Sequence, residues 1–262
     1  MADNIVGKIK LTGKTAIVTG GHSGIGRGIC EALSQAGADL VIVGRRTELG
    51  EKVAHEIEEA NSVKAAFVTA DITKEEDIQK VVDFTMKKHG KIDILVNNSG
   101  TVHHENAETV SRENWRKVLD LNLDALFFLS QAVGRIMIEQ KYGNIINISS
   151  NADTIVPRPQ TQAGYNASKA GVDMVTKSLA YEWAKYNIRV NAVAPGYITS
   201  DLLPDTTDEN GKPWKETWRE SIPLKRFGNP EEIGAMVLYM ASDMSPFLTG
   251  SILLMDGGYT LI

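Results

Sequence analysis

Cysteine, aromatic residues and long apolar runs are scarce in this sequence, and each scarcity removes a class of protein. A single cysteine, Cys30, cannot close an internal disulfide, which excludes a disulfide-stapled secreted domain and favours a reducing cytoplasm. No apolar run approaches the about 20 residues a bilayer-crossing helix needs. The opening MADNIVGKIKLTGK holds no apolar core of signal-peptide length, so neither a membrane anchor nor an export signal is expected. Positive charge is in deficit: 28 Lys and Arg stand against 33 Asp and Glu, a formal net charge of -5. A protein so charged has no global field to recruit phosphate backbones or anionic lipid, and no nucleic acid or membrane partner is expected. His22, His55, His89, His103 and His104 lie at no spacing that joins them to Cys or carboxylates as a metal site, so no metal is expected. Internal repeats, low-complexity tracts and Pro/Gly/Ser-rich linkers are absent too, so residues 1–262 read as one domain.

What remains is ordinary globular composition, 42% hydrophobic and 23% charged. Short β-branched runs alternate with stretches of helical period, the pattern of a parallel sheet with crossover helices. Seven strands are expected, near Thr15 to Thr19, Asp39 to Val43, Ala65 to Thr69, Ile92 to Val96, Asn144 to Ile148, Arg189 to Ala194 and Ile252 to Met255. Helices are expected to start near Gly24, Glu48, Lys74, Ser111, Gly164 and Pro230. This is a single-domain, doubly wound (Rossmann-type) α/β fold with helices on both faces of the sheet. The stretch Leu202 to Pro223, polar and with three prolines, follows a strand end where ligands bind in such sheets, so a substrate lid is expected near 198–225. Trp214, Trp218 and Ile222 recur every four residues there and share one face if Pro213 starts a helix. That stripe either packs on the body or on another subunit, or touches substrate.

The segment AIVTGGHSGIG joins the first strand to a helix, and Gly20, Gly24 and Gly26 let the backbone turn sharply and approach a ligand. Free N–H groups and the positive dipole end of the following helix suit a pyrophosphate. Glycines also serve plain tight turns; position in the sequence favours the ligand. The second strand ends about 20 residues after the loop, where an adenosine ribose would sit. An acid there would bind the 2′-hydroxyl of NAD, but the sequence reads Val43-Gly44-Arg45-Arg46. Arg45 and Arg46 suit a 2′-phosphate, so NADP(H) is expected rather than NAD, although Ser23 stands where a Lys or Arg would add support. Tyr165 and Lys169 are four apart and share a helix face, so Lys169 is expected to lower the phenol's pKa and make Tyr165 an acid/base. His103 and His104, after the fourth strand, contact either substrate or solvent. Cys30 reads as a small core residue.

TGGHSGIG at 19–26, NNSG at 97–100, Asn122, Ser150, Tyr165-Asn-Ala-Ser-Lys169, Pro195-Gly196 and LTGSILLMDGGY resemble the short-chain dehydrogenase/reductase family in order and spacing, across nearly the whole sequence. Ser99 replaces a more usual alanine, and the 15 positions from Ser150 to Tyr165 are more than in many relatives. The longer loop is most similar to the polyol dehydrogenase and ketose reductase branch. The resemblance implies a catalytic set of Ser150, Tyr165, Lys169 and Asn122. Lys169 would also hold the nicotinamide ribose, and Asn122 a water that links Lys169 to solvent. It further implies His22, Ser23 and Ile25 at the phosphate loop, Asp71 and Ile72 at the adenine, and Asn98 and Gly100 at the adenosine-side ribose and backbone. Pro195 and Gly196 would contact the cofactor, with Ile198 and Thr199 at its carboxamide and phosphates. The expected activity is hydride transfer between NADP(H) and a small-molecule ketose/polyol pair. Two alternatives stay open: reduction of a 3-ketoacyl thioester, and a dinucleotide-sensing scaffold without turnover. The helices after Ser111 and Gly164 and the apolar C-terminal stretch resemble surfaces that build homotetramers.

Overall fold

The computed structural model describes residues 5–200, 205–208 and 211–261. Seven strands form one parallel sheet in the order β3-β2-β1-β4-β5-β6-β7: β1 Thr15–Thr19, β2 Asp39–Gly44, β3 Ala65–Thr69, β4 Ile94–Asn97, β5 Gly143–Ile148, β6 Ile188–Pro195 and β7 Ile252–Met255. The doubly wound sheet expected from the alternation is therefore present. The helices are α1 Gly24–Gln35, α2 Thr47–Asn61, α3 Glu75–His89, α4 Arg112–Leu119, α5 Ala125–Gln140, α6 Ala163–Trp183, α7 Trp214–Ser221 and α8 Pro230–Ala241.

Because side chains alternate across a strand, neighbours in β1 enter opposite layers. Ala16 and Val18 join a core with Ile29, Val53 and Val237 from α1, α2 and α8. Ile17 joins one with Val81, Leu129 and Leu179 from α3, α5 and α6. Both faces of the sheet are thus covered, which is why its strands read as continuous apolar runs. The backbone leaves β1 toward β2 and β3 on one side and resumes at β4 on the other, so a crevice opens at the carboxyl ends of β1 and β4.

Two elements depart from expectation. β4 begins at Ile94, not at Ile92: Ile92 is buried, but its N–H donates to Gln140 Oε1 at 3.0 Å and its carbonyl accepts from Gln140 Nε2 at 2.8 Å. The helix expected from Ser111, capped there by a bond from Asn114 N to Ser111 Oγ, is interrupted by a π turn at Asp120–Asp124 that carries Asn122. The whole span Arg112–Gln140 is long and apolar enough to cross a bilayer by length and composition, and part of its α5 face packs on α3 and the sheet. In the expected lid, α7 starts directly after Pro213 and a bridge joins Thr207 to Pro213. Leu202 and Glu209 of that segment lie outside the described residues.

Candidate active site

A cleft of about 560 Å³ runs along the carboxyl ends of the strands. At one end is the loop between β1 and α1. Gly20 has φ +65 and Gly24 φ +51, conformations that side chains rarely adopt. A Cβ on Gly26 would lie 2.3 Å from the Gly20 carbonyl oxygen and 2.5 Å from Asn98 Nδ2. The loop is braced from below: Asn98 Nδ2 donates to Thr19 O at 2.9 Å, and Thr19 Oγ1 accepts from the N–H groups of Asn98 and Ser99. Asn98 is thus a strut whose side chain is engaged with protein.

The end of β2 adds the charges. Arg46 Nε donates to His22 Nε2 at 2.9 Å and Arg46 Nη2 to Ser23 Oγ at 2.7 Å, pinning the β2 end to the phosphate loop. Burial and the Arg46 charge push the His22 pKa down, so the imidazole is neutral. With Nε2 accepting, Nδ1 carries the proton, buried without a partner. The ring lies over Gly44, where a Cβ would come within 2.5 Å of His22 Cε1. Arg45 makes no hydrogen bond among the described residues; against burial, the hydrogen bonds from Thr73 N and Oγ1 to Asp71 Oδ1 hold that carboxyl below its usual value, and the Arg45 charge adds to this. A cradle that only glycines can form, the Arg45 guanidinium and an unpaired buried N–H together fit a dinucleotide.

At the centre, Ser150 follows β5 while Tyr165 and Lys169 stand one turn apart on α6. Ser150 Oγ accepts from Ala152 N at 3.2 Å and faces Asn151 Oδ1 at 3.4 Å. Lys169 Nζ donates to Ile148 O at 2.7 Å and lies 5.6 Å from the centroid of the Tyr165 ring. Burial pushes the Tyr165 phenol up, against the Ser150 hydroxyl, whose hydrogen bond favours the phenolate; the charge of Asp153 adds to the rise. The direction at Tyr165 is thus upward, opposite to the lowering expected from Lys169. A cation at that separation supplies about 3 kcal/mol at an effective dielectric of ~20, and this ammonium is occupied by a carbonyl. Burial brings Lys169 itself down to about 8, with Asp173 and Asp153 opposing.

Of the residues expected at the site, all but two line this cleft. Asn122 lies behind it, with Nδ2 donating to Thr101 O and Ser168 Oγ while Oδ1 accepts from Thr101 N. Thr199 is turned away, its N–H bonded to Gly228 O at 2.9 Å and its hydroxyl to Asn229 Oδ1 at 3.2 Å; Ser200 lines the cleft instead. Trp218 combines the two readings of the tryptophan stripe. It is buried, stacks on Tyr197 at 4.4 Å and donates to Gln160 Oε1, and it also lines the cleft.

Other groups escaped the sequence reading. Asp173, one turn beyond Lys169, is held well above the carboxylate range by burial and by Asp153. Its spacing of four from Lys169 was a usable signal. Asn151 and Gln160 sit in a loop without periodicity and gave none.

Residues 20–260 match the family model described as Enoyl-(Acyl carrier protein) reductase. The chain is 37% identical over 262 residues to a sorbose reductase of Candida albicans, covering 99% of this chain and 92% of that one. It is 39% identical to a 3-oxoacyl-[acyl-carrier-protein] reductase of Aquifex aeolicus, over 96% of this chain and 99% of the relative. A gluconate 5-dehydrogenase of Burkholderia cenocepacia, solved with NADP and tartrate, superimposes with a TM-score of 0.91 at 31% identity, covering 99% of this chain and 100% of that one. The chain belongs to the short-chain dehydrogenase/reductase family of oxidoreductases, which act on alcohol and carbonyl groups.

Proposed function

We propose that this protein is an NADP(H)-dependent reductase/dehydrogenase for a ketose/polyol pair or a related hydroxylated ketone. The observation that carries this reading is the convergence of Ser150, Tyr165 and Lys169 on a cleft whose far end holds the glycine loop and two arginines. The bound nicotinamide supplies or accepts the hydride. Tyr165 gives its phenolic proton to the substrate oxygen during reduction and takes it back during oxidation. Ser150 Oγ donates to the same oxygen, stabilising charge that develops there. The Lys169 cation favours negative charge on the phenol and would hold the ribose hydroxyls. Asn122, its side chain engaged with Thr101 and Ser168, would hold a relay water through its backbone carbonyl. Asp71 and Ile72 would flank the adenine and Gly100 the adenosine-side backbone, with Pro195, Gly196 and Ile198 beside the nicotinamide end. Of the described residues in the expected lid, 205–208 and 211–225 would cover the substrate end.

Reduction of a 3-oxoacyl thioester is the second reading, favoured by the Aquifex aeolicus relative. Against it, between Leu202 and Pro223 the described acids Asp205, Asp208, Glu216 and Glu220 outnumber Lys212, Lys215 and Arg219, and Glu220 and Asp205 neutralise Lys212 and Lys215 in ion pairs. An acidic carrier would meet no basic rim there.

The test is a screen of ketoses, polyols and 3-oxoacyl thioesters with NADPH and NADH in parallel, repeated with Tyr165→Phe. That variant keeps the ring but lacks the transferable proton, so turnover should fall by at least about 100-fold while coenzyme still binds. Near-normal turnover would remove Tyr165 from the reaction. We further infer a homotetramer, from the exposed Phe128, Met174 and Tyr181 on α5 and α6 and the exposed Leu254 on β7.

A further inference from the structure

Beyond Ser150 the cleft is lined by His104, from the loop after β4, by Asn151, and by Gln160, which accepts from Trp218. His104 is held from two sides. Its ring meets Trp214 of α7 edge-on at 5.3 Å, and it hydrogen-bonds the backbone of Thr161. Burial and the neighbouring His103 push its pKa down, so it is neutral, with one N–H and one lone pair. The N–H goes to Thr161; Nδ1 is buried without a partner. Asn151 is almost fully buried, its Oδ1 is next to the Ser150 hydroxyl, and its Nδ2 is also buried without a partner. One orphan accepts and the other donates, the pair of functions a hydroxyl group satisfies. No arginine or lysine other than Lys169 lines this end among the described residues, and 201–204 and 209–210 contain neither in sequence.

We propose that this end of the cleft is a subsite for an uncharged, polyhydroxylated chain, with His104 Nδ1 accepting from one substrate hydroxyl and Asn151 Nδ2 donating to another. An aldonate or a sugar phosphate fits poorly: its anionic oxygens bring only lone pairs to His104, and no free cation meets them. A fatty acyl tail would leave both orphans unsatisfied. The inference rests on the ketose/polyol reading and sharpens it to neutral substrates.

The experiment measures kcat/KM with the preferred coenzyme for xylitol, gluconate and propane-1,2-diol, which has no hydroxyl beyond the reacting pair. The unaltered protein should favour xylitol over both others. His104→Phe keeps the edge contact with Trp214 but has no acceptor, and should lower the xylitol/propane-1,2-diol ratio about tenfold, as expected for one lost buried hydrogen bond. His104→Gln, which restores an acceptor, should recover most of that ratio. A ratio is insensitive to the fraction of active protein, so partial misfolding cannot imitate the result. An unchanged ratio in His104→Phe, or gluconate as a better substrate than xylitol, would overturn the subsite while leaving the ketose/polyol reading in place. Failure of the unaltered protein to turn over any polyol or ketose while it reduces a 3-oxoacyl thioester would overturn that reading, and the subsite with it.

Discussion

Lys169 sets a pH limit on the proposed chemistry. Its ammonium is buried and its pKa falls to about 8, so the cation that favours phenolate at Tyr165 disappears above that pH. Carbonyl reduction should accordingly show a kcat/KM that falls with an apparent pKa near 8, and Lys169→Arg should abolish that limb even though its turnover is lower. Persistence of the limb in the arginine variant would assign it to another group. The linked stability runs the other way. The folded protein has lost this proton above about pH 8 while the unfolded state keeps it to about 10.5, so the lysine's contribution to stability rises with pH across that interval. In the proposed reading, coenzyme choice also turns on single residues. Arg45 is free to meet a 2′-phosphate, whereas Arg46 positions His22 and Ser23. Arg45→Ala should weaken NADPH by about 10- to 100-fold and leave NADH nearly unchanged, since charge-assisted bonds are worth roughly 1.5 to 3 kcal/mol. Comparing kcat/KM for both coenzymes checks this, and a native preference for NADH would show that Arg45 serves only solvent and Arg46 only the loop. The arginines were legible in the sequence. The reason for Gly44 was not, because it depends on the His22 ring lying over it. An acid at position 44 would collide with that ring.

At the scale of elements, the start of α1 is fixed by its crossing with α8. A Cβ on Gly28 would lie 2.6 Å from both the carbonyl carbon and the carbonyl oxygen of Pro230, and one on Gly234 would lie 2.4 Å from Gly28 O. The α8 terminus cannot yield easily: Asn229 and Glu232 form a capping box, and Arg226 grips the same Glu232 carboxylate with two bonds of 2.7 and 2.8 Å. Gly28→Ala should therefore cost about 1–3 kcal/mol by overpacking and should weaken coenzyme binding as the loop ahead of α1 shifts. Denaturant midpoints and coenzyme titration by tryptophan fluorescence check both effects; an unchanged midpoint would mean the two helices can separate freely. Elements were the most legible level, because a sheet covered on both faces writes each strand as an apolar run. What escaped were features fixed by distant partners: the edge of β4, where Gln140 takes both polar groups of Ile92, and the π turn at Asn122, which interrupts an unbroken helical period.

For the whole molecule, two sides of the surface carry apolar groups that the core does not use. Phe128 of α5 and Met174 and Tyr181 of α6 are exposed on one. On the other, edge strand β7 exposes Leu254, and Phe247 and Leu261 are exposed nearby in sequence. Exposed clusters of this kind mark association surfaces. Two surfaces, each paired with its own copy about a two-fold axis, close into a tetramer of dihedral symmetry with no surface left to propagate. Such an assembly would also cover Phe128, which the monomer leaves exposed in Arg112–Gln140. Sedimentation at micromolar concentration should give about four times the 28.6 kDa monomer mass. Met174→Glu places a charge in the middle of the helical face, which cannot be buried unpaired, and should reduce the species to a dimer held through the β7 side. A 28.6 kDa species for the unaltered protein at that concentration would refute the assembly, and a tetramer that survives Met174→Glu would show that the α5 and α6 face is not one of its contacts.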